Sequence, residues 1–179
     1  MDDIKRYLGL KKDVSCFDRE IENMSRIAEG LSPVYVYAYF DIGVAPDGIC
    51  LFGTDTVLCG SLANKRFSSC KGLIVVLATL GMESELLLKR QFALNAKNAV
   101  ILDAVFTDKL EKFLDNAEKE LSDKFGELTV RISCGYGDLP IQLQKPLFDV
   151  LDGNRIGVTI NESFMLFPNK SVIALIGVK

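Results

Sequence analysis

Residues Gly72 to Gly81 read Gly-Leu-Ile-Val-Val-Leu-Ala-Thr-Leu-Gly. Between the two glycines only Thr79 is polar, and the middle of the run is β-branched. A half-solvated strand would alternate apolar and polar residues. This one does not, so it predicts a central strand covered on both faces, ending in a turn at Gly81.

Helical periodicity supplies the covering layers. Ala96 to Phe125 is the longest helical stretch, with Phe106, Leu110, Phe113, Ala117 and Leu121 on one stripe and Lys and Glu opposite. Its first part, Ala99 to Phe106, is apolar nearly all round except at Asp103, a carboxylate that requires a hydrogen bond, a partner or a function. Glu83 to Asn95 also predicts a helix. So does Asp18 to Leu31, with Ile21, Met24, Ile27, Ala28 and Leu31 aligned, Asp18 as its cap, and Gly30 and Pro33 at its end.

Val34 to Phe40 predicts a strand with Tyr35, Tyr37 and Tyr39 on one face. No basic residue separates those rings, so a half-exposed sheet face is expected rather than a platform for bases. Ala45-Pro46-Asp47-Gly48 turns this strand into a second, Ile49 to Phe52, as a hairpin. Thr56 to Cys59 is a short apolar piece. Ser61 to Ser68 predicts a helix capped by Ser61, with Lys65 and Arg66 exposed. Ile141 to Leu151 predicts another, with Leu143, Pro146, Leu147 and Val150 inward and a kink at Pro146. Asp152-Gly153-Asn154 is a turn. Ile156, Val158 and Ile160 alternate as a strand, and Ser163 to Phe167 is expected to pair with Ser171 to Val178 around Pro168-Asn169-Lys170. The expected fold is α+β: one domain with a twisted, mainly antiparallel sheet and a long helix packed on it.

Composition narrows the function. The net charge is −3, which gives no basic field for nucleic acid or anionic lipid. No apolar run reaches the ~20 residues of a membrane span, and the first residues lack the apolar core of a secretory signal, so a cytoplasmic protein is expected. There is no histidine. That excludes Ser-His or Cys-His catalysis and histidine metal ligands. The cysteines are Cys16, Cys50, Cys59, Cys70 and Cys134, an odd number with no Cys-x-x-Cys, so neither a disulfide framework nor a zinc ribbon is favoured. Four are expected to be buried free thiols, and Cys134 partly exposed.

Cys134 lies in the stretch that carries chemistry, Val-Arg-Ile-Ser-Cys-Gly-Tyr-Gly-Asp-Leu-Pro from Val130 to Pro140. It is expected to leave a strand at Arg131, turn on Gly135 and Gly137, and enter a helix near Pro140. Arginine offers a planar fork to a carboxylate. Glycine lets the main chain approach a ligand. Tyrosine brings a ring face and a polar tip. The set suits a small ligand with a carboxylate and a flat ring, although a structural turn beside one surface arginine has the same pattern. Asp138 either caps the helix entered at Pro140 or accepts from a ligand ammonium.

Arg131, Gly135 and Tyr136 form an Arg-x-x-x-Gly-Tyr pattern that resembles the activation, or reactivation, domain of cobalamin-dependent methionine synthase. The match continues through Gly137-Asp138-Leu139-Pro140, Arg155-Ile156-Gly157-Val158-Thr159, Glu162-Ser163-Phe164-Met165, Pro168 and Lys170-Ser171-Val172. It is dense from Arg131 onward and looser, though collinear, from about Arg6 to Phe125. The chain is similar to the short, freestanding members of that family, in which a strand ending in Thr-x-Gly stands where Thr79 to Gly81 does.

The resemblance implies an S-adenosylmethionine-binding activator that supports reductive methylation of cob(II)alamin in a separate methionine synthase, an accessory component of that methyltransferase rather than an independent enzyme. The cobalamin is supplied by the partner protein, and a one-electron donor such as a flavodoxin or ferredoxin is a further partner. Service to another corrinoid methyltransferase, or a docking role without catalysis on a corrinoid protein, is the alternative. Arg131 is implied for the methionyl carboxylate. The backbone of Ser133, Cys134, Gly135, Tyr136 and Gly137 would meet the ammonium and adenine, and the Tyr136 ring the sulfonium or adenine. Longer members contribute a carboxylate from the long helix. Matching without gaps sets Thr107 there, with Asp103 one turn earlier. They also carry an aromatic contact beyond the position of Lys179, so a more open site, or one completed by a partner, is expected.

Overall fold

A computed structural model describes residues 2–179. In chain order the elements are α1 (Asp2–Tyr7), α2 (Asp18–Glu29), β1 (Val34–Ala45), β2 (Gly48–Leu51), β3 (Val57–Leu58), α3 (Ser61–Phe67), β4 (Gly72–Thr79), α4 (Met82–Leu94) and α5 (Ala96–Phe125). A 3-10 turn, Ile141–Leu143, leads into α6 (Gln144–Leu151), and a second, Gly153–Ile156, precedes β5 (Thr159–Ile160), β6 (Leu166–Phe167) and β7 (Ser171–Val178).

Five strands form a sheet in the order β3-β2-β1-β4-β7, with every pairing antiparallel. β4 is buried along its whole length, as its sequence requires. Its residues divide between two cores. Ile74, Val76 and Ala78 face α2 and the apolar stripe of α5, including Leu102, Phe106 and Leu114. Leu73, Val75 and Leu77 face Phe67 of α3 and Leu147, Phe148 and Leu151 of α6. The sheet is therefore the middle of three layers.

The tyrosine face of β1 is covered by the second half of α5. Tyr35 meets Phe113 edge-on with ring centres 5.7 Å apart, and Tyr39 stacks on Phe125 at 5.3 Å. Tyr35 also donates to Glu120 at 2.7 Å. Of the three tyrosines only Tyr39 is exposed.

Several local expectations are corrected. Asp18 does not cap α2. It is the first helical residue, and its carboxylate lies 2.8 Å from the buried Lys5 ammonium, tying α1 to α2. In α6 the inward residues are Leu147, Phe148 and Leu151, while Val150 is exposed. Pro146 sits in the first turn, where its missing N–H leaves no helical bond unmade, so it fits without breaking the helix. Leu166–Phe167 pairs with Thr159–Ile160, not with β7. The Asn161 side chain accepts from the amides of Ser163 and Met165 and folds that segment back on itself. β7 pairs instead with β4 along its full length.

Candidate ligand cleft

The segment carrying Arg131 runs along the free edge of β7. It touches that edge through two isolated bridges, Leu128 to Val178 and Ile132 to Leu175, so Arg131 lies in extended chain rather than in a regular strand. Ile132 and Cys134 turn inward to the α6-side core. This sets the direction of their neighbours and corrects the reading of the thiols. Cys134 is the buried cysteine, while Cys16 is exposed and Cys50, Cys59 and Cys70 are intermediate. Burial pushes the Cys134 thiol up to about 12, so it stays neutral and serves packing.

Beyond Cys134 the chain closes a tight turn. Gly135 N–H donates to Leu139 O at 2.8 Å, Tyr136 N–H to Ser133 O at 3.2 Å, and Leu139 N–H to Tyr136 O at 3.0 Å. The amides of Gly135 and Tyr136 are thus engaged within the turn. The Tyr136 ring stands 71% exposed beside the opening.

Asp138 caps neither the helix beyond Pro140 nor any local turn. Its carboxylate accepts from Ser61 N–H at 2.6 Å, Ser61 Oγ–H at 2.7 Å and Leu62 N–H at 3.0 Å. Two of these donors are free amides at the start of α3, and Asp138 satisfies them from across the molecule. Ser61 is consequently a donor to the cap, not the cap. Hydrogen bonds from Ser61 and Leu62 hold the Asp138 carboxyl down at about 2. The approach is close: a side chain at Gly60, whose φ is +116°, would come within 2.8 Å of the Asp138 carbonyl oxygen.

Docking of α3 completes a cleft of about 470 Å³. Leu62 and Arg66 of α3, Glu111 and Leu114 of α5, the segment from Val130 to Ser133 with Tyr136, and Val172 and Ala174 of β7 line it. Its electrostatics are set by an acidic row on α5. Glu111, Asp115 and Glu118 follow helical spacing and converge on one guanidinium. Arg131 Nη1 donates to Asp115 at 2.8 Å and also to Glu118, and Nη2 donates to Glu111 at 2.6 Å. Burial opposes the Arg131 charge, but the bonds to Glu118, Glu111 and Asp115 outweigh it and hold its pKa above the ordinary value. Both terminal nitrogens of its fork are therefore already engaged by carboxylates of this chain.

Asp103 and Thr107 do not line the cleft. Lys170 Nζ lies 2.9 Å from Asp103 and donates to Thr107 Oγ1 at 2.9 Å, joining α5 to the start of β7. The carboxylate that α5 brings to the cleft is Glu111, one turn beyond Thr107. Helical spacing of Glu111, Asp115 and Glu118 was the available signal for it. Leu62 and Arg66 carried no local signal, because the contact of Leu62 with Asp138, 76 residues later, brings them in.

Among the described residues no group of His, Cys, Asp and Glu is arranged to hold a metal ion, and no helix is long and apolar enough to cross a membrane. No family model and no curated protein matches the chain. Among solved structures it is similar to the crystal structure of the MetH reactivation domain bound to AdoHcy, with a TM-score of 0.71 and 14% sequence identity, over 97% of this chain and 71% of that one. The chain has the fold of the MetH reactivation domain: an antiparallel sheet with a long helix laid across it.

Proposed function

We propose that this protein binds S-adenosylmethionine in the cleft beside Arg131 to Asp138 and presents its sulfonium methyl group to the cobalamin of a separate methionine synthase. One observation carries the reading: the fold is that of a reactivation domain bound to AdoHcy, the demethylated form of the same ligand.

The chemistry of the cleft supports it. S-adenosylmethionine combines a sulfonium, an ammonium and a carboxylate, and is a net cation. Glu111 lines the cleft with Arg131 and Arg66, and Asp115 and Glu118, outside the lining, also pair with Arg131, so the Arg131 charge is more than offset by its three carboxylates. Leu62, Leu114, Val172 and Ala174 give an apolar lining for the flat base, and the volume lies within the roughly 300–1,000 Å³ of small-molecule sites. Tyr136 offers its ring to the sulfonium or the adenine, where a cation over a ring face gains ~0.5–2 kcal/mol. Glu111 suits the ammonium.

The chain's contribution is to hold the methyl donor still and outward, so that transfer gains from proximity. That task requires no general base, and the sequence holds no histidine. A partner's cobalamin would supply the methyl-accepting cobalt, a one-electron donor such as a flavodoxin or ferredoxin would supply the electron, and S-adenosylhomocysteine would be left in the cleft.

The test uses a methionine synthase lacking its own activation domain, with its cobalamin oxidised to the cobalt(II) state. S-adenosylmethionine, a low-potential electron donor and this chain are added, and the visible spectrum of the cobalamin is followed. Methylation should require all four components and should saturate with rising concentration of this chain, since the two proteins are not tethered. Equal methylation without the chain would overturn the activator reading for this enzyme. The same assay with other corrinoid proteins then identifies the partner.

A further inference from the structure

We propose that Arg66 of α3, not Arg131, receives the α-carboxylate of the ligand, and that Arg131 instead organises the acidic wall that faces the ligand's positive end. The inference rests on the S-adenosylmethionine reading of the cleft and deepens it.

Two guanidiniums line this cleft, and they differ in what they already hold. Arg131 is bound by Glu111, Asp115 and Glu118, and its side chain is only 21% exposed. A carboxylate arriving there would approach three like charges and would find both terminal nitrogens already engaged. The Arg66 side chain has no ion pair and no hydrogen bond among the described residues, and its residue is exposed. Its planar fork is open to a carboxylate in the bidentate manner that guanidinium favours.

The fold also explains why Arg66 is held at this place. Asp138 fixes the start of α3 through three hydrogen bonds, and Leu62 lies close over Gly137. Leu62 and Arg66 are one turn apart on the same face of α3, and both line the cleft. The motif loop thus delivers a second arginine as well as its own. With the carboxylate on Arg66, the ammonium and sulfonium fall toward Glu111 and the negative side of the cleft.

The test compares S-adenosylmethionine with its decarboxylated analogue, which keeps the sulfonium, amine and adenosine but lacks the carboxylate. Both are titrated into the parent protein, Arg66→Gln, Arg66→Lys and Arg131→Gln by calorimetry, with melting curves to verify folding. Arg66→Gln should weaken S-adenosylmethionine by about ten- to a hundredfold and leave the analogue within about twofold, the size of a lost charge-assisted pair. Arg66→Lys should recover part of the loss, because the charge remains and the fork does not. Arg131→Gln should affect the two ligands alike. Equal losses of both ligands in Arg66→Gln, or discrimination lost only in Arg131→Gln, would overturn the assignment while leaving the cleft as the binding site. If the parent protein binds neither ligand, the reading of the cleft falls, and this assignment with it.

Discussion

Arg131 is the residue on which the cleft wall depends, because it separates three carboxylates that would otherwise face one another. Arg131→Ala should destabilise the protein by ~1–3 kcal/mol, a range kept low because the acidic partners are partly solvated. The loss should shrink at high salt, which screens the repulsion left behind. Adding Glu111→Gln should restore part of it. Urea unfolding at two salt concentrations measures all three effects, and parent-like stability of Arg131→Ala at low salt would contradict the arrangement. Asp138 makes a separate prediction. Its folded-state carboxyl is lowered to about 2 from an ordinary 3.8, so its contribution is present above pH 3.8 and is lost as pH falls toward 2. Asp138→Asn should therefore melt below the parent at neutral pH, and the gap should close near pH 2. A gap that persists there would mean that the carboxylate charge is not what holds α3.

At the scale of elements, α5 joins the core to the cleft. Phe106, fully buried on its sheet-facing side, should cost ~3–5 kcal/mol when cut to Ala. Phe113, half covered beside Tyr35, should cost distinctly less. Denaturant midpoints check the order, and a reversed order would place the α5 packing elsewhere. Elements of this kind were legible in the sequence. The run Ala96 to Phe125 folds as the helix its periodicity predicts, and the nearly all-apolar Gly72 to Thr79 becomes the doubly covered strand. What was illegible depends on contacts far apart in the chain. The cap of α3 comes from Asp138, the return of Leu166–Phe167 onto Thr159–Ile160 comes from the Asn161 side chain, and the burial of Cys134 comes from the edge of β7. In the cleft, the Arg131 and Tyr136 positions were readable from their motif. Arg66 was not, since its place depends on how α3 docks.

For the molecule as a whole, the cleft lies where three separately built parts meet: the helix α3, the acidic row of α5 and the motif segment at the edge of β7. None of them forms a site alone. Under the proposed reading, the acidic row that pairs with Arg131 favours a cation, which would separate S-adenosylmethionine from AdoHcy. Calorimetric titration of the parent protein with S-adenosylmethionine, AdoHcy, methionine and adenosine tests this most directly. One site per chain is expected, with S-adenosylmethionine bound more tightly than AdoHcy by roughly two- to thirtyfold, the range of a cation over a ring face. Methionine and adenosine should bind more weakly than either. Absence of S-adenosylmethionine binding at millimolar ligand, or tighter binding of adenosine alone, would contradict it.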